Sequence, residues 1–460
     1  MAKKPGTSDA LQAAVSAENI SVHLDAFQAI ADANGGNRAA GTSGYDASAE
    51  YVEQQLEEAG YKTERQPFSY TKVIIDVAVV AQVTPTPIEY TYFDEFYPMD
   101  YTPEGDATAP ITAVDVNLVG DRASTSGCEV EDFAGFPAGN IALIQRGTCD
   151  FTVKANNAAA AGASAVLVFN QGNTPERSGV VLGTLGAIGV AIPVVGTTFA
   201  IGESLATTPG ATARVALQTH EETVNTFNVL ADTKGGHKGT IVVGAHLDGV
   251  AEGPGINDNG SGSAAILETA IQMAELNIKP SNKIRFAFWS GEEDGLQGSN
   301  YYVSQLKPNE IKRHALNLNF DMVGSPNAVR FVYDGDGDAF GTVGPVGSEV
   351  IESVFTTHFT SKGLASAPTA FDGRSDYFAF IEAGIPAGGL FTGAEGVKTA
   401  EEAALFGGTA GAPYDPCYHA ACDTNENIDP VVLEQMADAI AHSTFTFGID
   451  KKLLDTLGRA

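Results

Sequence analysis

Thr240-Ile-Val-Val-Gly-Ala-His-Leu-Asp248 is an unbroken apolar run that ends on a histidine and an aspartate. With no polar residue alternating through it, the run predicts a strand covered on both faces, as in a parallel sheet. Three similar runs follow: Lys283-Ile-Arg-Phe-Ala-Phe-Trp289, Leu316-Asn-Leu-Asn-Phe320 and Ile385–Phe391. Between the first two, Ser263–Leu276 carries Ile266, Leu267, Ala270, Ile271 and Ala274 at helical spacing. Strands alternating with helices predict an α/β domain built on a mostly parallel sheet flanked by helices.

The residues just beyond these strands are the informative ones. His246-Leu-Asp248 follows the first, Glu292-Glu293 the second and Asp321 the third. In open α/β sheets ligands bind outside the carboxyl ends of strands, so these side chains are expected to meet in one crevice. Two further segments join the candidates: the Gly-rich Gly255-Ile-Asn-Asp258-Asn-Gly-Ser-Gly262, and Pro416-Cys-Tyr418-His419-Ala-Ala-Cys422-Asp423. Imidazoles and carboxylates without thiolates suit zinc or a related divalent ion. Two histidines and three carboxylates hold two ions if one carboxylate bridges, and their charges then nearly cancel. The remaining glutamate is free to move a proton. Alone, Asp258 would read as a turn residue and either histidine as structural. Adjacent glutamates ending a buried strand, however, need a partner for their charge.

Outward from this core, residues 9 to 65 read as helical, with Val52, Leu56 and Ala59 in register and Gly60 at the expected stop. Lys72–Val80 reads as strand. From 101 to 215 the texture turns Ala/Gly/Val/Thr-rich. It contains one βαβ pattern: Ile141–Ile144, Val153–Ala161 and Ala165–Phe169. The expected organisation is a main domain over 9–100 and 216–450, with a smaller β-rich α/β module inserted at 101–215. A net charge of −31 argues against nucleic acid or an anionic membrane as partner. No apolar run is long enough to span a bilayer. The start, Met1-Ala-Lys-Lys-Pro-Gly6, lacks an apolar core and reads as a trimmed end, not an intact signal peptide. The spacing of Cys128, Cys149, Cys417 and Cys422 suggests two local pairs, which fit an oxidising compartment; four separate buried thiols are the alternative. The acidic loop Asp334-Gly-Asp-Gly-Asp338 is a candidate calcium site, though not an EF-hand.

At the motifs His246-Leu-Asp248, Gly255–Ser263, Gly291-Glu-Glu293, Asn319-Phe-Asp-Met322, Gly373-Arg-Ser-Asp376 and Cys417–Asp423, the chain resembles the bacterial secreted leucyl aminopeptidases with co-catalytic zinc, a branch of the clan MH zinc peptidases. The resemblance implies a secreted enzyme, expected to act as a monomer, that removes residues from peptides with a free N-terminus and favours Leu or other apolar first residues. It places His246 and Asp321 on one zinc, Glu293 and His419 on the other, and Asp258 between them. It makes Glu292 the general base and Tyr418 the donor to the oxyanion, and has Asp248 hold the second nitrogen of His246. The substrate ammonium would meet Glu292, Asp321 and the carbonyl of Arg374. The Arg374 side chain is open to an ion pair with Asp372 or Asp376 instead. Met322 and Phe391 are candidate walls of the first-residue pocket, or ordinary core. A Cys417–Cys422 bridge would stiffen the segment carrying Tyr418 and His419.

Around Asn140-Ile-Ala-Leu-Ile-Gln-Arg-Gly-Thr-Cys-Asp-Phe151 the insert resembles a protease-associated (PA) domain, which implies a Cys128–Cys149 disulfide. Two other activities share the scaffold. A zinc carboxypeptidase needs cations for substrate carboxylates, and only Arg374 lies near a motif. A glutaminyl cyclase typically uses one zinc, whereas five ligand positions are filled here.

Overall fold

A computed structural model describes residues 6–174, 177–236 and 239–459. All but the last residue of the Met1–Gly6 start lies outside them. The chain packs into two compact units, one of residues 1–70 and 224–460, the other Thr71–Thr223. Both boundaries fall inside long strands, Thr63–Thr84 and Thr212–Asp232, rather than in loops.

In the larger unit the strands lie in the order Ala367–Thr369, Phe331–Tyr333, Ala387–Phe391, His314–Phe320, Thr240–His246, Lys283–Trp289 and the end of Thr212–Asp232. The four strands from Ala387–Phe391 to Lys283–Trp289 are mutually parallel. Thr240–His246 and His314–Phe320 are buried along their whole length. Alternation sends Ile241, Val243 and Ala245 into one core and Val242 into another. The first core is closed by helices Ala17–Ala33, Ser43–Glu58, Gly262–Glu275, Ser348–Ser361 and Pro430–Ile449, the second by Gln297–Ser304 and Tyr377–Glu382. The chain runs from Thr240–His246 to its neighbour Lys283–Trp289, then crosses back to His314–Phe320 on the other side. That reversal in strand order opens a crevice where a helix cannot cover the strand ends.

In the smaller unit Gly105–Val114, Ile141–Gln145, Ala165–Phe169 and Val194–Thr197 form a parallel sheet in chain order, with Phe96–Pro98 antiparallel at the edge. Leu143, Leu167 and Val195 fill one face, and Ile144, Val166 and Val194 the other. Cys128 and Cys149 are bonded, with Cα atoms 5.8 Å apart. Among the described residues, no cluster of potential metal ligands falls in this unit.

Candidate metal centre

The donors stand at or just beyond the carboxyl ends of three neighbouring strands, where the apolar runs stop. His246 is the last residue of its strand, Asp321 the first after its own, and Gly291 turns the chain so that Glu292 and Glu293 follow Trp289. Asp258 stands in the wide turn Ile256–Ser261 that opens helix Gly262–Glu275. His419 comes from the loop closed by the Cys417–Cys422 disulfide, whose Cα atoms are 5.3 Å apart.

These residues, separated by up to 173 positions, converge. His246 Nε2 lies 3.3 Å from Asp258 Oδ1 and 3.3 Å from Asp321 Oδ1. His419 Nε2 lies 3.3 Å from Asp258 Oδ2 and 2.9 Å from Glu293 Oε2. One carboxylate therefore turns one oxygen to each imidazole. The possible ligand atoms form three overlapping triads, His246–Asp258–Asp321, Asp258–Glu293–His419 and His246–Glu292–Glu293, and the first two share only Asp258. His246 Nε2, His419 Nε2, Glu293 Oε1 and Asp321 Oδ1 are buried without a protein hydrogen-bond partner. Buried polar atoms are rarely left so, and a pair of cations, one at His246 and Asp321 and one at Glu293 and His419, would satisfy all four. Nitrogen and carboxylate donors at this spacing fit a pair of zinc ions.

The charges point the same way. Burial works to lower His246, but Glu292 and Asp321 beside it hold it well above the usual imidazole range. Burial likewise opposes Glu293 and Asp258 at His419, which is pushed up to about 11. Burial raises Glu292 well above the carboxylate range, with the charges of Glu293 and Asp321 adding to it. Asp258 is held low, against burial, by the two imidazoles that face its oxygens. Protons here occupy the place of cations, and a bound metal pair would take over their role.

The surrounding contacts fix the donors. His246 Nδ1 is 3.0 Å from the backbone carbonyl of Asp248 and 3.8 Å from its carboxylate. The carbonyl, not the carboxylate, is therefore what holds this nitrogen; the carboxylate accepts from the Glu292 amide at 3.4 Å. Burial raises Asp248 to about 8. Ser375 donates to Asp321 Oδ2 at 2.5 Å. Tyr418 stacks on His419 with ring centroids 3.8 Å apart.

The Arg374 side chain corrects an expectation. Its ion pair is with Glu395, at 2.7 Å, and not with Asp372 or Asp376. Asp372 is taken by the Arg374 amide and the Tyr377 hydroxyl. Arg374 Nη2 also donates to the Tyr418 hydroxyl at 3.2 Å. Met322 and Phe391 both line the cleft above the donors, together with Tyr333 and Ala394. Each is also packed: Met322 is buried and Phe391 stacks on Phe331.

The sequence reading assigned no role to Asp423, Asp415 or Arg38. Asp423 accepts the amides of Asn257 and Asp258 at 2.9 and 3.0 Å. Asp415 accepts from the side chains of Asn257 and Asn427. Asp423 ends a motif already quoted, and its charge next to Cys422 was the available signal. Arg38, alone in a turn, offered none. In the acidic loop, Asp334, Asp336 and Glu352 lie within reach of one another, but the Asp334 oxygens accept from the amides of Gly337, Ala339 and Phe340.

Comparison with known proteins identifies the family. The model of "Peptidase family M28" matches residues 228–444 and that of "PA domain" residues 107–205. An "Aminopeptidase" of Pseudomonas aeruginosa is 48% identical over 442 residues, covering 95% of this chain and 82% of that protein. A "Probable leucine aminopeptidase 2" of Aspergillus fumigatus is 40% identical over 425 residues, covering 90% and 80%. The solved structure of a zinc aminopeptidase from Bacillus subtilis aligns with a TM-score of 0.63 at 25% identity, covering 95% of this chain and 96% of that one. The chain therefore belongs to peptidase family M28 and carries a PA domain within its length.

Proposed function

We propose that this chain is a secreted, monomeric aminopeptidase that holds two zinc ions and removes apolar first residues, Leu foremost, from peptides with a free N-terminus. The observation that carries the reading is Asp258, whose two oxygens each sit 3.3 Å from a different imidazole amid ligand atoms that have no other partner. His246 and Asp321 would hold one ion and Glu293 and His419 the other, with Asp258 offering an oxygen to each side. Bound there, zinc polarises the carbonyl of the first peptide bond and makes water a stronger nucleophile.

The protein's own groups do the rest. Glu292 takes the proton of the attacking water and returns it to the leaving nitrogen. Arg374 fills an acceptor position on the Tyr418 oxygen, so the Tyr418 proton is free to face the substrate carbonyl oxygen as charge develops on it. Glu292, Asp321 and the Arg374 carbonyl receive the substrate ammonium. Met322, Tyr333, Phe391 and Ala394 offer an apolar wall for the first side chain. The relatives named aminopeptidase and leucine aminopeptidase support the substrate class. The two disulfides support an oxidising, extracellular location.

The test is hydrolysis of leucyl anilide before chelation, after chelation, and after zinc is restored, with zinc counted per chain. Activity that follows zinc, saturates at two ions and vanishes on N-acetylated substrate is expected. Activity that survives complete chelation would reject the reading.

A further inference from the structure

Arg38 is a charged side chain with no exposed surface, in the turn between helices Ala17–Ala33 and Ser43–Glu58. Among the described residues no carboxylate pairs with it directly. Its guanidinium lies 5.0 Å from the centre of the Phe27 ring and donates only to backbone carbonyls. Nε reaches Pro254 O at 2.9 Å, Nη1 reaches Leu247 O at 2.5 Å, and Nη2 reaches Gly255 O at 2.5 Å. Leu247 directly follows His246, and Pro254-Gly255 lead into Asp258. The fork thus ties together the two chain segments that present two donors of one triad. Gly255 is part of the same fit. Its φ is +63°, and a Cβ there would fall 2.6 Å from the Asp258 carbonyl oxygen and 3.4 Å from Arg38 Nη2.

Two effects oppose each other at this position. A buried cation near the crevice repels incoming divalent ions. A planar fork that fixes three carbonyls holds His246 and Asp258 at the separation an ion requires, which an ammonium on a flexible stem cannot do. The donors of the other triad are tied differently: Asp423 accepts the Asp258 amide and follows the disulfide loop of His419.

We propose that Arg38 is a positioning residue for the metal pair, and that its three-carbonyl fork acts mainly on the affinity of the His246–Asp258–Asp321 position, reaching the Glu293–His419 side only through the shared Asp258. The inference rests on the two-ion reading. Metal-free wild type, Arg38→Lys and Arg38→Met are titrated with zinc against a chromophoric chelator, and cobalt absorption reports each coordination environment. Both variants are expected to weaken one ion about 10–100-fold, the usual effect of losing a group that orients a ligand, and to keep the other. The loss is expected to persist when each change is combined with His419→Ala, which leaves only the His246 position.

Several results would overturn the inference. Tighter or unchanged binding by Arg38→Met would show that repulsion outweighs positioning. Wild-type affinity in Arg38→Lys would show that charge alone is needed. Equal weakening of both ions, or loss of the near-UV circular dichroism of the fold in saturating zinc, would make Arg38 a general core residue. A wild type that binds fewer than two ions would sink the two-ion reading itself, and with it this inference.

Discussion

The two halves of the candidate metal centre are built in different ways. His246 and Asp321 stand at the ends of adjacent parallel strands, and the His246 side chain is 1% exposed. His419 stands on a loop held by a disulfide, and its side chain is 28% exposed. The first half inherits its geometry from a sheet buried on both faces. The second depends on local cross-links: the Cys417–Cys422 bond, Asp423 on the amide of Asp258, and Asp415 on the amide of Cys417. A site on regular elements is held more tightly than one on a loop, so the two ions should differ in how readily they leave.

The comparison can be broken in several ways. Glu292→Gln keeps the shape of the proposed proton carrier, whose carboxylate lies 3.8 Å from His246 Nε2, but removes its basicity, so both ions should remain while kcat falls on the order of 10³-fold; an unchanged kcat would reject Glu292 as the base. Tyr418→Phe should lower kcat about 10²-fold with little change in KM, because the hydroxyl acts on charge that develops only during reaction. Replacing Cys417 and Cys422 with serine should weaken the ion at His419 about 10–100-fold and spare the other, read by zinc competition. Equal loss of both ions would erase the distinction between the halves.

Loading should also release protons. His419 is pushed up to about 11 without metal, so it is protonated at pH 7 and must lose that proton to bind zinc. Zinc titration in two buffers of different ionisation enthalpy should show this release, and affinity should rise with pH. The smallest effect belongs to the distant bridge. Serine at Cys128 and Cys149 should leave kcat/KM within about twofold while costing the small unit about 2–5 kcal/mol, measured by thermal unfolding.

The parts legible in the sequence were those with a short-range signal. The strand Thr240–His246 was visible because the five residues between its polar ends, Ile241 to Ala245, are all buried and apolar or glycine. The donors were visible because each interrupts an apolar run or a Gly-rich turn. The Ser375 contact with Asp321 and the Arg374 pairing with Glu395 were not, since each joins residues 54 and 21 positions apart with no local pattern. Arg38 was the least legible, lying 209 to 217 positions from the carbonyls it holds. The boundary of the small unit at Thr71 falls inside the strand Thr63–Thr84, where no turn residue announces it.

Closing the loop between Cys417 and Cys422 would make the His419 side of the site the part most sensitive to redox conditions. Until those sulfurs join, the segment bearing His419 would be held by Arg374 on Tyr418 and by Asp423 on the amides of Asn257 and Asp258, and a chain folded under reducing conditions would be complete at the strand ends but looser at the loop. Oxidation would then tighten that loop, so the compartment in which the chain resides would tune how firmly His419 is held.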